Sequence, residues 1–247
     1  EYDAVSRLRD SQLGDERVKD IQYASKTRFN IDRIRQFESL RASLARLQTD
    51  HVDLYQSHKD DPDTPLTDTL GEYAKLMEAG KVRAIGASNY TAVRLSEALI
   101  ASERHNLPRY ESIQPEYNLY SREPFEGHLQ ALVKAQDLGT INYYALASGF
   151  LSGKYRSPAD VGKSARGKKI VDTYLNERGY RILKALDEVA EDAGCTPAQA
   201  ALAWQIAQPG ITSPIVSATS TEQLADTLKA AEDGELYVEK RQSESLV

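Results

Sequence analysis

The sequence predicts an α/β protein in which parallel strands alternate with crossover helices. Three observations carry this expectation. Short runs rich in β-branched and aromatic residues recur along the chain, and longer stretches with apolar residues at helical spacing separate them. No linker, low-complexity tract or shift in composition divides the 247 residues, so a single domain over residues 1–247 is expected. Strand–helix alternation implies parallel pairing with helical crossovers. About six such units can be counted. A doubly wound open sheet accepts six and a closed barrel needs eight, so periodicity leaves both architectures open.

The first strand is expected at Ile21-Gln-Tyr-Ala-Ser25. After it, Ile34, Phe37, Leu40, Leu44 and Leu47 recur at helical spacing and form an apolar stripe. Strands follow at His51–His58, Val82–Ser88, Glu111–Gln114, Thr140–Leu146 and Ile211–Ser217. Helices are expected at roughly 67–79, 91–105, 124–137, 174–193 and 196–208. Gly80 and Gly139 read as helix-ending glycines. Thr196-Pro-Ala-Gln199 is a capping box with proline at the first helical position, and Ser220-Thr-Glu-Gln223 is a second box.

Composition excludes several classes of function. Apolar residues make up 40% of the chain, enough for a sizeable core. The net charge is −6 and the pI about 5.4, with dispersed cations, which argues against nucleic acid or an anionic membrane as partner. The single cysteine, Cys195, excludes an internal disulfide and a cysteine-based zinc site, and it reads as a packing residue. No apolar run approaches the ~18–20 residues of a membrane span, and no signal peptide opens the chain, so a cytoplasmic location is expected. Nothing fixes an oligomeric state, and a homo-oligomer is compatible with the sequence. The chain starts at Glu1 and its only methionine is Met77, which reads as a frame with an upstream part left out.

In a parallel α/β barrel, reactive groups collect where strands end and loops begin. Those positions here hold Lys26, His58, Ser88 with Asn89, Gln114, Tyr143, the loop after Leu146 and the turn after Val216. Lys26 either lowers the pKa of a neighbouring phenol or is a plain lysine at a strand end. His58, on the strand face of Val52, Leu54 and Gln56, either polarises a carbonyl or serves as a hydrogen-bonded structural histidine. His51, His105 and His128 read as surface residues, and no spacing of His, Asp or Glu suggests a metal site.

Ser148-Gly-Phe-Leu-Ser-Gly-Lys154 carries two glycines and two serines, which would let backbone amides approach a pyrophosphate. The Ser217-Ala-Thr-Ser-Thr-Glu-Gln223 turn opens a helix whose N-terminus favours phosphate. There is no GxGxxG after a strand, which counts against a Rossmann domain. The stretch from Ser157 to Val171 reads as a mobile loop. Its four cations, Lys163, Arg166, Lys168 and Lys169, either fold over phosphates or face solvent.

Taken together, His51-Val-Asp-Leu-Tyr-Gln-Ser-His58, Gly80-Lys-Val-Arg-Ala-Ile-Gly-Ala-Ser-Asn-Tyr90, Gln114-Pro-Glu-Tyr-Asn118, Leu146-Ala-Ser-Gly-Phe-Leu-Ser-Gly-Lys-Tyr155 and Thr196-Pro-Ala-Gln-Ala-Ala-Leu-Ala-Trp204 resemble the aldo-keto reductases. The likeness is to their bacterial and channel-β-subunit-like branch, and it runs from about Lys26 to about Lys229. The resemblance implies a (β/α)8 TIM barrel that reduces aldehydes or ketones, small carbonyl substrates, with NADPH or NADH and without metal. It makes Lys26 the lysine that tunes an acid tyrosine and His58 the histidine that orients the carbonyl. Ser88, Asn89 and Gln114 match the groups that hold the nicotinamide carboxamide, and Tyr143 the aromatic that stacks on the ring. Leu146, Ser148, Leu151 and Gly153 match the pyrophosphate loop, Ser217 and Thr219 lie in the last phosphate turn, and Gln223 matches the adenine contact.

Two departures stand out. The family's Asp-Thr-Ala-x-x-Tyr-Gly stretch, which supplies an aspartate and the acid tyrosine, has no match here, and neither Tyr2 nor Asp3 has the spacing to replace it. Loss of the first two strands would account both for this and for six units in place of eight. The last turn has Thr219 and Ser220 where an arginine would clamp a 2′-phosphate, so the choice between NADPH and NADH stays open. Three readings follow: a carbonyl reductase, a cofactor-holding regulatory protein with little turnover, and an unrelated barrel such as a hydrolase or aldolase.

Overall fold

The structure, a computed structural model, describes residues 33–241, with side chains from 40 to 231. The predicted strand Ile21–Ser25 therefore lies outside the described residues, as does Lys26. The chain clusters into two compact units, divided at Pro115/Glu116, Glu126/Gly127 and Thr140/Ile141. Among the described residues strands and helices alternate as expected, and every strand pairing is parallel.

The first unit contains α1 (Arg33–Leu47), β1 (Val52–Ser57), α2 (Leu66–Glu78), β2 (Val82–Ser88), α3 (Ala92–His105), β3 (Tyr110–Gln114), α4 (His128–Ala135) and the start of β4 (Gly139–Asn142). Its strands run in the order β1-β2-β3-β4. The predicted stripe of α1 is borne out where side chains are described: Leu40, Leu44 and Leu47 are buried. Register partners are Tyr55 with Ile85, Gln56 with Gly86 and Ser57 with Ala87. The register between β2 and β3 shifts at Ile85/Gly86, so that Ile85 meets Tyr110 and Gly86 meets Ser112. A side chain at Gly86 would collide with Ser112 Oγ and stand 3.0 Å from Gln56 Cγ, so β2 carries a glycine where its neighbours come closest.

The opposite face of that sheet is closed by tyrosines. Ser57 Oγ hydrogen-bonds the hydroxyls of Tyr73 at 2.7 Å and Tyr110 at 2.9 Å, and Tyr110 meets Tyr90 at 3.2 Å. Rings of Tyr55, Tyr73, Tyr110 and Tyr90 contact one another edge to face. Burial drives the Tyr110 phenol far above its ordinary pKa, so it serves as a neutral hydrogen-bonding group.

Gly80 ends α2 as predicted. It sits at φ +67°, its N–H donates to Met77 O at 2.9 Å, and Lys81 N–H donates to Leu76 O at 2.9 Å. Gly139 does not end α4. That left-handed role falls to Asp137 (φ +52°), with Leu138 N–H on Val133 O at 3.0 Å, while Gly139 is the first residue of β4. α4 is also shorter than the expected 124–137, because Gly127 at φ +89° starts it late.

The second unit contains the rest of β4, 3-10 turns at Ala147–Ser152 and Pro158–Lys163, α5 (Gly167–Tyr174), α6 (Glu177–Ala193), α7 (Pro197–Ile206), β5 (Ser213–Pro214) and α8 (Thr221–Arg241). Ile141 and Asn142 of β4 pair with Ser213 and Pro214 of β5. The expected strand to Leu146 stops at Asn142 because Tyr144, Ala147 and Ser148 all take positive φ, which no strand accommodates. The last expected strand shrinks to two residues, the second a proline with no amide for the ladder. α6 starts from Asn176, whose side chain accepts from Gly179 N–H at 3.0 Å. Thr196 caps α7 with the predicted box: Gln199 N–H donates to Thr196 Oγ1 at 3.2 Å and Thr196 N–H to Gln199 Oε1 at 2.9 Å. The core holds Phe150, Leu151, Tyr155, Ile170, Leu183 and Leu186, among others. Among the described residues no helix is long and apolar enough to cross a membrane.

Candidate functional site

The first unit brings four of the predicted groups to the ends of β1, β2 and β3. Ser88 pairs with Gln114 in register, so their side chains share a sheet face. Ser88 Oγ donates to Gln114 O at 2.9 Å. Asn89 turns the chain at φ +59°, and its Nδ2 donates to Ser88 Oγ at 3.1 Å and to His58 O at 2.9 Å. One amide therefore ties the end of β2 to the residue that follows β1. Gln114 is 5% exposed, and its Oε1 has no hydrogen-bond partner. A buried, unpaired amide oxygen costs folding free energy unless something else donates to it.

The loop behind His58 is held from α3. Arg94 Nε meets Asp60 Oδ2 at 2.8 Å, and its NH2 group reaches Thr64 O at 3.4 Å, with both side chains of the ion pair mostly buried. His105 and His128 are exposed as expected. His51 is half-buried, with Nδ1 2.7 Å from Asp50 Oδ1.

The second unit holds the other groups. Tyr143 follows β4, bridges Glu116 in parallel, and is half-buried with its ring edge-on to Tyr144 at 5.2 Å. The Gly/Ser loop is a tight turn. Ala147 and Ser148 are non-glycine residues at φ +48° and +59°, followed by Gly149 at +97°. Such backbone costs roughly 1–3 kcal/mol per residue and tends to persist at functional sites. Its amides largely serve the turn itself: Ala147 N–H donates to Tyr144 O, Gly149 and Leu151 N–H to Leu146 O, and Gly153 N–H to Phe150 O. Leu151 is buried in the core, whereas Leu146 and Ser148 are half-buried. Ser148 hydrogen-bonds Tyr174, a phenol that burial and the nearby Glu116 push up to about 12.

The stretch 157–171 is a structured turn and helix start. Ser157 and Asp160 form a capping box, and Lys163 bonds Asp160 at 2.8 Å and Lys154 O at 2.6 Å. Lys168 pairs with Asp172, so two of the four cations are engaged locally. In the last turn, Gln223 Oε1 accepts from Thr219 N–H at 2.9 Å and Thr219 Oγ1 at 2.7 Å. Gln223 N–H donates to Ser220 Oγ at 3.2 Å, so the predicted box closes on Thr219 in place of Ser220 N–H. Ser217 is exposed beside it.

The chain matches the aldo/keto reductase family over residues 10–240. It belongs to the aldo/keto reductase family. It is 33% identical over 197 residues to a protein named "Probable voltage-gated potassium channel subunit beta" from Oryza sativa, with 78% of this chain and 60% of that protein covered. It is 33% identical over 221 residues to "Protein tas" of Escherichia coli, covering 81% and 63%. It is 32% identical over 195 residues to "Uncharacterized oxidoreductase YrpG" of Bacillus subtilis, covering 78% and 57%. The chain thus spans about 60% of the length of the relatives it matches. Its described strands give it an α/β, parallel-stranded fold.

Sequence reasoning missed the polar residues buried within the second unit. Asn118, Asn142 and Gln205 are each buried. Asn118 Oδ1 accepts from Tyr120 and Ser121 N–H at 2.9 Å each, and its Nδ2 donates to Tyr144 O at 3.0 Å. Tyr117 stacks on Trp204 at 5.5 Å and donates to Glu126 Oε1 at 2.8 Å, which also takes Arg122 Nε at 2.8 Å. A glutamine inside the apolar run of α7 was the signal that could have been read, since a polar residue there must find a partner.

Proposed function

We propose that this protein is an oxidoreductase that reduces small aldehydes or ketones to alcohols with NADPH, NADH being the alternative donor. When bound, the reduced nicotinamide supplies the hydride. The chain's own residues bind and orient the reactants. Gln114 Oε1 is an unpaired, buried acceptor suited to a carboxamide N–H, and Ser88 and Asn89 beside it supply the polar surround. That orphaned oxygen is the observation that carries the reading, because it makes the first unit fit an amide-bearing ligand. Tyr143 offers an aromatic face, and the strained turn after Leu146 and the Ser217–Gln223 turn offer polar groups for the phosphates and adenine. His58 orients the substrate carbonyl and donates to the oxygen as negative charge develops on it. The role proposed for Lys26 is to lower the pKa of an acid phenol supplied by the rest of the protein.

The whole protein is proposed to be an eight-stranded barrel whose remaining strands supply the aspartate and acid tyrosine. A second reading, a cofactor-holding regulatory subunit, is favoured by the relatives named as channel β-subunits. Titration of the chain with NADPH, followed by nicotinamide fluorescence, tests the cofactor assignment. Saturable binding that weakens in Gln114→Leu is expected. Absence of binding by the wild-type chain at millimolar NADPH and NADH would contradict it.

A further inference from the structure

We propose that Asn142 and Gln205 form a positioning pair that sets the aromatic ring of Tyr143 for the nicotinamide, an inference that rests on the cofactor reading above. Both side chains are completely buried. Asn142 Nδ2 donates to Gln205 Oε1 at 2.7 Å and to Tyr117 O at 2.8 Å. Gln205 Nε2 donates to Ala145 O at 2.8 Å and, back along its own helix, to Ala201 O at 2.9 Å. The pair therefore grips the chain immediately before Tyr143 and two residues after it.

The segment between these grips is the one that needs holding. Tyr144 sits at φ +56°, a conformation that a non-glycine residue leaves when it is free to do so. Its carbonyl is fixed by Asn118 Nδ2 at 3.0 Å, and the Tyr143 carbonyl by Tyr117 N–H at 3.4 Å. Strand alternation sends the Asn142 side chain toward α7, so the Tyr143 ring is sent to the opposite face of β4. Two apolar side chains could pack α7 on β4 equally well, but they would leave the turn free to rotate. Directional amide bonds at both ends remove that freedom, which is what an aromatic platform requires.

Gln205→Leu removes both grips, and Gln205→Glu keeps an acceptor for Asn142 while losing the donor to Ala145. Each is compared with wild type for affinity toward NADPH and toward 2′-phospho-ADP-ribose, which lacks the nicotinamide, with thermal melts confirming that the variants fold. Gln205→Leu should weaken NADPH by roughly tenfold while the nicotinamide-free ligand changes by less than about twofold. Gln205→Glu, which sets a buried carboxyl against the Ala145 and Ala201 carbonyls, should show the same selective loss with a larger fall in melting temperature. In a Tyr143→Ala background, Gln205→Leu should cost less than about twofold further, because its effect runs through the ring. Equal losses for the two ligands, or fully additive losses in the double variant, would overturn the pair's positioning role while leaving the cofactor assignment standing. Failure of the wild-type chain to bind NADPH would overturn both.

Discussion

Glu126 is a carboxylate pulled in two directions. Partial burial works to raise its pKa, but hydrogen bonds from Arg122 and Tyr117 outweigh it and hold the group below its ordinary value of 4.5. A depressed carboxylate stabilises the fold above the unfolded-state pKa and loses that contribution as pH falls through the folded value. Wild-type melting temperature should therefore fall more steeply below about pH 5 than that of Glu126→Gln, and a parallel decline in the two would contradict it. Tyr143 gives the residue-scale test of the site. Tyr143→Phe should bind NADPH almost normally, whereas Tyr143→Ala should lose the ~0.5–1.5 kcal/mol that aromatic packing adds beyond area. Equal losses would place the effect in the hydroxyl. Residues of this kind were legible where they end strands: His58, Ser88, Asn89 and Gln114 were all named from position, and the structure brings them within one hydrogen-bonded group. Asn142 and Gln205 were not, because their partners lie 63 positions apart in sequence and no local pattern reports such a contact.

At the scale of elements, helix ends were the easiest to read because their signals are local. Thr196→Ala should destabilise the chain by about 1 kcal/mol, with Thr196→Ser costing much less, since the capping oxygen survives. A melt showing no difference between wild type and Thr196→Ala would mean that α7 is fixed by packing alone. Gly80→Ala should also destabilise, because its φ of +67° disfavours any side chain. Strand ends were harder. β4 stops early through left-handed residues at Tyr144, Ala147 and Ser148, where no glycine announces the turn except Gly149. Asp137 takes the helix-ending role expected of Gly139, because the choice depends on where α4 ends. α5 went unread because eight residues opening Gly-Lys-Lys carry too short a pattern to register.

At the scale of the molecule, the alternation of strands and helices marked the α/β class, and only the motif resemblance chose the aldo/keto reductase family that the comparisons then established. The tally of strands could not do so, since open and closed parallel sheets share the same local pattern. On the proposed function, the whole protein moves hydride from a nicotinamide to a carbonyl carbon. Protonating the resulting alkoxide calls for an acid, so a chain that carries the Asp-Thr-Ala-x-x-Tyr-Gly stretch upstream should turn over far faster than residues 1–247 alone. In that longer chain Lys26→Met should lower kcat more than it changes KM. The most direct measurement supplies the longer chain with NADPH carrying two deuteriums at the transferring carbon and an activated aromatic aldehyde, and analyses the alcohol by mass spectrometry. The account predicts one deuterium on the carbinol carbon for each NADPH oxidised. An unlabelled alcohol, or no aldehyde consumption with dinucleotide bound, would contradict it.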